Sequence, residues 1–221
     1  LDVVNSTEHQ QVLHEAALQS YVLLKNNGAL PLRIGSKVAV LGPQAFSRGL
    51  FGDYSNSPCS SDDKDCTRTI AEGIAQVNIG GTTSSAFGVD VMIPINSTNS
   101  SSCDKPIFFP HELNASSNHG GKCIPRALSL VDSADVVVLA LGIDENIEHE
   151  NVDRSDTAPP GLQTPFAHAV LSKAAIAGKP VILVMAGIGT LAIDDLMSSS
   201  GGPAAIVEAF APGHTAVALA E

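Results

Sequence analysis

The chain has 221 residues, of which 44% are hydrophobic and 16% charged, so it can build a sizeable core as one large domain or two small ones. Its formal net charge of −11 argues against a nucleic-acid or anionic-membrane partner, because both require a surplus of lysine and arginine. No apolar run approaches the roughly 18 residues that a membrane helix needs.

The first predicted element is a helix from about Glu8 to Lys25. Thr7 with Gln10 three residues later is a capping-box signal, and the Asn-Asn-Gly sequence at 26–28 ends the helix. The chain starts at Leu1 without an initiator methionine or a signal peptide. We therefore expect a processed or excised piece of a longer protein, in which residues 1–36 are a linker and first helix and residues 37–221 an α/β domain.

A short strand is predicted at Val38–Leu41, and it runs into Gly42-Pro43. A first strand that ends in glycine invites comparison with dinucleotide-binding proteins, whose fingerprint is GxGxxG at the start of a helix. The second and third glycines are missing here, and 187–189 (Gly-Ile-Gly) also lacks the later glycine. The sequence therefore indicates no bound nucleotide, and no cofactor is predicted.

The middle of the chain alternates weak elements with loops. A helix of weak character is predicted at Thr69–Val77, a turn at Gly80–Ser85 and a short strand at Val89–Ile93. Residues 96–122 are rich in Ser, Asn and Gly and are expected to form an exposed insertion. Pro125 then opens a helix that reaches about residue 134, because proline is tolerated in the first turn.

The apolar run Val136–Leu141 is rich in β-branched residues and does not alternate with polar ones. Such a run is typical of a strand covered on both faces of a parallel sheet. Beyond Gly142 follow five carboxylates: Asp144, Glu145, Glu148, Glu150 and Asp153. Because ligand and catalytic groups in open α/β sheets collect beyond the carboxyl ends of strands, this acidic loop is a candidate for acid/base chemistry. A solvated acidic loop is the alternative interpretation.

The last part of the chain continues the alternation of helices and strands. We predict a helix at Leu162–Ala177, strands at Val181–Met185 and Ala204–Phe210, and a final helix after Pro212-Gly213 that has barely begun at the end of the sequence. The alternation predicts the fold class α/β, with a mostly parallel sheet sandwiched between helices. We expect this sheet to be truncated at its C-terminus.

Four cysteines fall into two local pairs, and each pair lies in a polar, serine-rich stretch. The pairs are Cys59 with Cys66 and Cys103 with Cys123. Local pairing would close two short loops by disulfides. Four free thiols or a zinc site are the alternatives, but the spacings are unlike CxxC and no histidine sits at ligand spacing, so no metal is predicted.

Glycosylation sequons agree with an oxidising compartment. The acceptor residues are Asn5, Asn96, Asn99 and Asn114. Three of the four lie within twenty residues, in the same insertion as the second cysteine pair. Sequons beside candidate disulfides favour a secreted, extracellular glycoprotein of the eukaryotic secretory pathway.

Several motifs together resemble the second domain of glycoside hydrolase family 3. In chain order they are LLKNNGALPL at 23–32, VAVLGP at 38–43, LFGDY at 50–54, the block at 134–154, PGLQ at 160–163 and PG at 212–213. The block at 134–154 is similar to the β-xylosidase-like branch of the family. The resemblance runs collinearly over essentially the whole chain.

The resemblance implies one half of a two-part enzyme. Family members join an N-terminal (β/α)8 barrel, which carries an aspartate nucleophile, to an α/β sandwich that carries the acid/base glutamate. This chain resembles the sandwich alone, so we expect it to be inactive without a barrel from the same polypeptide or a processed partner chain. The implied activity is that of a retaining, exo-acting β-xylosidase or β-glucosidase that removes terminal sugars from oligomers of plant or microbial polysaccharides. The alternative is a non-catalytic carbohydrate-binding or interface domain of a degenerate family member.

The spacing of the family motif assigns the acid/base role to Glu150, with Glu148 as the second choice. His149, Asp153 and Arg154 are candidate contacts to the oligosaccharide or glycoside substrate, and an exposed loop histidine is the other interpretation of His149. A general acid must be protonated near working pH, which burial against substrate or nearby like charges would favour. We expect Arg154 to pair with Asp153 and so to spare Glu150.

Overall fold

The computed structural model describes residue 3 and residues 6–51, 67–89, 123–144, 147–198 and 201–221. Several predicted features lie outside the described residues: Cys59, Cys66, Cys103, Asn5, Asn96, Asn99, Asn114, Glu145 and the insertion at 96–122. The roles assigned to them stay predictions.

The described residues form one six-stranded sheet with the order β1-β6-β5-β4-β2-β3. Its strands are β1 Val22–Asn26, β2 Lys37–Leu41, β3 Thr82–Ala86, β4 Val136–Gly142, β5 Val181–Ala186 and β6 Ala205–Phe210. All neighbouring strands are parallel except β1, which pairs antiparallel with β6 at one edge. The predicted fold class, a mostly parallel α/β sheet, is confirmed.

Helices lie on both faces of this sheet. They are α1 Thr7–Ser20, α2 Ile70–Val77, α3 Ile124–Ser133, α4 Gln163–Ala177, α5 Asp194–Ser198 and α6 Ala216–Ala220, with 3-10 turns at Pro43–Phe46 and Gly213–Thr215. The helices predicted near 69–77, 125–134 and 162–177 are confirmed as α2, α3 and α4. None of the helices in the described part of the chain is long and apolar enough to cross a membrane.

The core sits on both sides of β4, and every residue of that strand is buried. Successive side chains of a strand point to opposite faces of the sheet, so β4 serves two clusters. Leu139 and Leu141 pack with Phe166 of α4 on one face, and Val138 packs with Ile70 of α2 on the other. Burying an aliphatic side chain of this size completely is worth about 1.5–3 kcal/mol, which explains why the run is continuously apolar.

The first helix is shorter than predicted. It ends at Ser20, and the residues that follow form β1, in which Val22 pairs with Glu208 of β6. The prediction of a helix to Lys25 is therefore wrong, because pairing with an existing strand outweighs the weak helical pattern of a short apolar run. The N-cap is Ser6 and not Thr7, and its side chain accepts a hydrogen bond from the backbone N–H of His9 at 3.3 Å.

The turn predicted at Gly80–Ser85 is wrong. Thr82–Ala86 forms strand β3, parallel to β2, where the sequence predicted a turn. Its pattern TTSSA is polar because β3 is an edge strand, and its Thr residues favour extended backbone. Val89 is not in a strand, and residues 90–93 lie outside the described residues. The short helix α5 was not predicted.

The strand order has a topological switch point at the carboxyl ends of β2 and β4. From β2 the chain runs outward to β3 and then returns to β4 on the other side of β2. In open α/β sheets, ligands bind at such a topological switch point. The acidic loop leaves the sheet there, directly after β4.

Candidate functional site

The end of β4 is fixed by a buried glutamine. Gln163, the first residue of α4, is fully buried. Its Nε2 donates to the carbonyl oxygen of Gly142 at 2.8 Å, and its Oε1 accepts from the Gly142 N–H at 2.8 Å. Gly142 has φ 154°, and a Cβ there would lie 1.6 Å from the carbonyl oxygen of Ala186, so glycine is required. The acidic loop therefore departs from a rigid point.

Beyond that point the chain makes a tight turn. The backbone groups of His149 and Val152 exchange two hydrogen bonds, of 3.1 and 2.9 Å. Glu150 and Asn151 occupy the tip, and Asn151 has φ 66°. A positive φ at the second central position is typical of a type II turn, and asparagine tolerates it better than most residues. The turn presents Glu150 as an exposed side chain.

Glu148 has a different environment from Glu150. Its Oε2 accepts a hydrogen bond from Nε of Arg154 at 2.5 Å, and the Arg154 side chain is only 11% exposed. The predicted pairing of Arg154 with Asp153 is therefore wrong: the arginine reaches back across the turn to Glu148, while the side chain of Asp153 is exposed. Spacing alone did not distinguish the two carboxylates, because the fold of the turn decides which one faces the guanidinium.

Arg154 and Glu148 also contact the segment that follows β5. Nη2 of Arg154 donates to the carbonyl oxygen of Thr190 at 2.5 Å, and Nη1 to that of Ala158 at 3.4 Å. A Cβ on Gly189 would lie 2.4 Å from Oε1 of Glu148, so the carboxylate packs directly against the glycine backbone. We call Glu148, Arg154, Gly189 and the Thr190 carbonyl the loop clamp.

A further carboxyl group lies near the carboxyl ends of the parallel strands, where the acidic loop also begins. Glu208 of β6 is half-buried, and its Oε1 accepts a hydrogen bond from the Phe210 N–H at 3.1 Å. Burial raises the pKa of Glu208, and the hydrogen bond from Phe210 lowers it by a smaller amount. Phe210 has φ 52° beside an irregularity in the pairing of β5 with β6. The sequence analysis missed Glu208, because a lone glutamate in an apolar strand carries no motif.

The structure brings five predicted site residues together on one loop: Glu148, His149, Glu150, Asp153 and Arg154. Gln163 and Gly189, which hold that loop, were not predicted to contribute, although Gln163 belongs to the PGLQ motif. Among the described residues, no group of three or more His, Cys, Asp or Glu side chains could hold a metal ion. Cys123 is fully buried and disulfide-bonded, and its predicted pairing with Cys103 stays a prediction.

Comparison with known proteins gives a family match over most of the chain. The model of the glycosyl hydrolase family 3 C-terminal domain matches residues 21–221. A probable exo-1,4-beta-xylosidase (xlnD) of Neosartorya fischeri is 31% identical over 197 residues, covering 89% of this chain and 21% of the relative. A probable beta-D-xylosidase 7 of Arabidopsis thaliana is 32% identical over 187 residues, covering 82% and 20%. The chain spans about a fifth of the length of these relatives.

Solved structures agree with the family match. A GH3 exo-beta-xylosidase (XlnD), in complex with a xylobiose aziridine activity based probe, superposes with a TM-score of 0.74 at 27% identity. The superposition covers 99% of this chain and 24% of that one. A GH3 beta-glucosidase of Bifidobacterium adolescentis superposes with a TM-score of 0.69 at 23% identity, covering 96% and 26%. At 23% identity, the superposition on the beta-glucosidase shows a shared fold only.

Proposed function

We propose a function from the premise that this chain belongs to the glycosyl hydrolase family 3 C-terminal domain family. It carries the general acid/base of a retaining, exo-acting β-glycosidase of the β-xylosidase or β-glucosidase type. The nucleophile comes from a barrel domain, in the same polypeptide or in a processed partner chain. The substrates are terminal sugars of oligosaccharides or glycosides from plant or microbial polysaccharides.

The observation that carries this proposal is the position of Glu150. Its carboxyl group is exposed at the tip of a hydrogen-bonded turn that stands beyond the carboxyl end of β4. A retaining glycosidase needs two carboxyl groups about 5–5.5 Å apart, on either side of the scissile bond. A protruding turn can bring one of them to a site on another domain. Glu148 is less suited, because it lies before the tip, is less exposed than Glu150 and is held by Arg154 at the base of the turn.

The proposed reaction has two steps that share Glu150. In the first, Glu150 donates its proton to the glycosidic oxygen while the barrel carboxylate attacks the anomeric carbon, and the aglycone leaves as an alcohol. In the second, Glu150 takes a proton from water as the water oxygen attacks the same carbon and releases the barrel carboxylate. The turn also presents His149 and Asp153 as contacts for sugar hydroxyl groups.

The compartment is proposed from the sequence. Disulfides Cys59–Cys66 and Cys103–Cys123 and glycans on the four predicted asparagines fit a secreted, extracellular glycoprotein. An enzyme that removes sugars from polysaccharide oligomers meets its substrate outside the cell, so this location suits the proposed activity.

The test uses the complete polypeptide, in which this chain is joined to the barrel. Glu150→Ala should lower kcat/KM about 10²–10⁴-fold on xylosides with poor leaving groups, because those need a proton in the first step. With an activated leaving group the covalent intermediate should still form, and azide should restore turnover because its attack needs no base. Glu15→Ala, an exposed change on α1, is the matched control.

Azide rescue of Glu148→Ala and not of Glu150→Ala would exchange the two roles. Unchanged activity in both variants would contradict the catalytic proposal and favour a non-catalytic carbohydrate-binding or interface domain.

A further inference from the structure

We propose that Arg154 is a positioning residue that acts through Glu148 to hold the turn bearing Glu150, and that it is not a sugar contact. This inference rests on the proposed acid/base role of Glu150. The loop clamp lies at the base of the turn, and the catalytic carboxyl lies at its tip.

Two sets of contacts, one outside the other, join the two arms of this turn. The outer one is the ion pair between Glu148, which precedes the tip, and Arg154, which follows it. The inner one is the pair of backbone hydrogen bonds between His149 and Val152. Both sets of contacts join a residue before Glu150 to a residue after it, so they fix the position of the Glu150 backbone.

The guanidinium of Arg154 is committed to protein acceptors. Each of its three nitrogens donates to one: Nε to Glu148, Nη1 to the Ala158 carbonyl and Nη2 to the Thr190 carbonyl. The side chain is 11% exposed, so a sugar could reach little of it. A planar fork with fixed donor directions suits such bridging, whereas the lysine ammonium is a point charge on a flexible stem.

The loop clamp also ties the turn to the sheet. Gly189 lets the Glu148 carboxylate pack against its backbone, and Thr190 accepts from Arg154. Both belong to the segment that follows β5. Nearby, the Gly187 N–H donates to the carbonyl oxygen of Phe210 at 2.7 Å, which joins this segment to β6. The base of the turn is therefore tied to the segment after β5, which is itself joined to the end of β6.

Loss of the clamp should impair proton transfer more than sugar binding. Misplacing a catalytic group by 1 Å can cost about 10²-fold in rate, even when the change is made away from the chemistry. The loss should be largest for leaving groups that need protonation. With activated leaving groups the first step should be little affected, because their departure does not depend on Glu150. The loss that remains should lie in the breakdown of the covalent intermediate, where Glu150 acts as base, and azide should relieve it.

The experiment compares Arg154→Ala, Arg154→Lys, Glu148→Gln, Glu150→Gln and the double variant Glu148→Gln/Arg154→Ala in the complete polypeptide. For substrates with poor leaving groups, Arg154→Ala should lower kcat about 10²-fold while KM changes less than about 3-fold. The double variant should be no worse than Arg154→Ala, because both side chains belong to one unit. Arg154→Lys should recover only part of the loss.

The matched control is Lys173→Ala, which breaks an exposed ion pair with Asp132 between α4 and α3, away from the turn. It should leave kcat and its dependence on the leaving group unchanged. Thermal unfolding of every variant separates a folding defect from misplacement of the turn.

Three outcomes would overturn the positioning role. A rise in KM at unchanged kcat would make Arg154 a sugar contact. Equal losses for poor and activated leaving groups that azide does not relieve, in step with a lower Tm, would make the ion pair merely structural. Loss of activity in Glu150→Gln without loss in Arg154→Ala would overturn the positioning role alone, whereas full activity in Glu150→Gln would overturn the proposed function as well.

Discussion

Glu208 is the residue whose environment makes a pH-dependent contribution to stability. Burial raises its pKa above the ordinary value of 4.5, against a smaller lowering by the Phe210 N–H. The folded chain therefore holds this proton more tightly than the unfolded chain does. It follows that the contribution to stability is fully present below pH 4.5 and is lost as the pH rises through the folded-state pKa.

Glu208→Gln should remove this loss. The amide oxygen can still accept from the Phe210 N–H, and no charge has to be kept half-buried. We expect the variant to have a higher Tm than the parent chain near neutral pH, with the difference shrinking towards pH 4.5 and below. Thermal unfolding across this range measures the effect, with the exposed Glu15→Gln as control. A Tm difference independent of pH would show that the effect does not come from the raised pKa of Glu208.

Adding one methyl group at Gly189 tests the loop clamp. Gly189→Ala would place a Cβ 2.4 Å from Oε1 of Glu148, so the carboxylate that pairs with Arg154 must shift. In the complete polypeptide we expect a lower kcat on substrates with poor leaving groups, by a smaller factor than for Arg154→Ala. Gly49→Ala is the matched control, because a Cβ there meets nothing within 4 Å. Equal kinetics for the two alanine variants would show that the carboxylate can shift without consequence.

The junction between β4 and α4 is the element on which the candidate site depends. Gln163 uses both atoms of its side-chain amide on the backbone of Gly142, and all of these groups are buried. A buried backbone group that loses its partner carries the full cost of its desolvation. The junction therefore stabilises the domain and also fixes where the acidic loop starts.

Gln163→Ala should lower the free energy of unfolding by about 2–5 kcal/mol, since two buried backbone groups lose their partners at once. Gln163→Glu should recover little, because an ionised carboxylate cannot donate to the Gly142 carbonyl. Denaturant unfolding measures both variants, and Gln19→Ala on the exposed face of α1 is the control. A loss below about 1 kcal/mol would mean that water replaces the amide at no great cost.

At the scale of the whole molecule, the proposed function has this chain supply one carboxyl group of a site that needs two. It covers 21% of the Neosartorya fischeri relative and 20% of the Arabidopsis thaliana relative. We expect the rigorously purified 221-residue chain to hydrolyse no nitrophenyl xyloside, because the proposed function places the nucleophile on a barrel domain. Turnover by the chain alone that Glu150→Gln abolishes would contradict this expectation.

Peptide mapping without reduction tests the disulfides of the same chain. We expect peptides that join Cys59 to Cys66 and Cys103 to Cys123, with modest stabilisation because short loops remove little entropy from the unfolded chain. The buried position of Cys123 before α3 agrees with a structural disulfide. A peptide that joins Cys59 to Cys103 or Cys123 would show that the local pairing is wrong.

The sequence by itself determined the fold class, the family and the loop that carries the candidate site. Burial on both faces of a strand requires a continuous apolar run, and Val136–Leu141 could therefore be placed at the centre of the sheet. The same holds for Val181–Met185, and the helices α2, α3 and α4 followed from local signals. The acidic loop was predictable because its residues are contiguous and the strand before it ends at a glycine.

Only the tertiary structure decided the edges of the sheet and the partners within the loop. The strands β1 and β3 lie at the edges of the sheet: β3 has a polar sequence, and the short apolar run that begins β1 also fits the end of a helix. Likewise, Glu148 and Glu150 are alike in sequence, two residues apart in one acidic run. Their difference arises because a turn at Asn151 directs Glu148 towards Arg154 and Gly189 and leaves Glu150 exposed at the tip. The ion pair spans a turn whose conformation the residue types alone do not specify, and the contact with Gly189 joins residues that are distant along the chain.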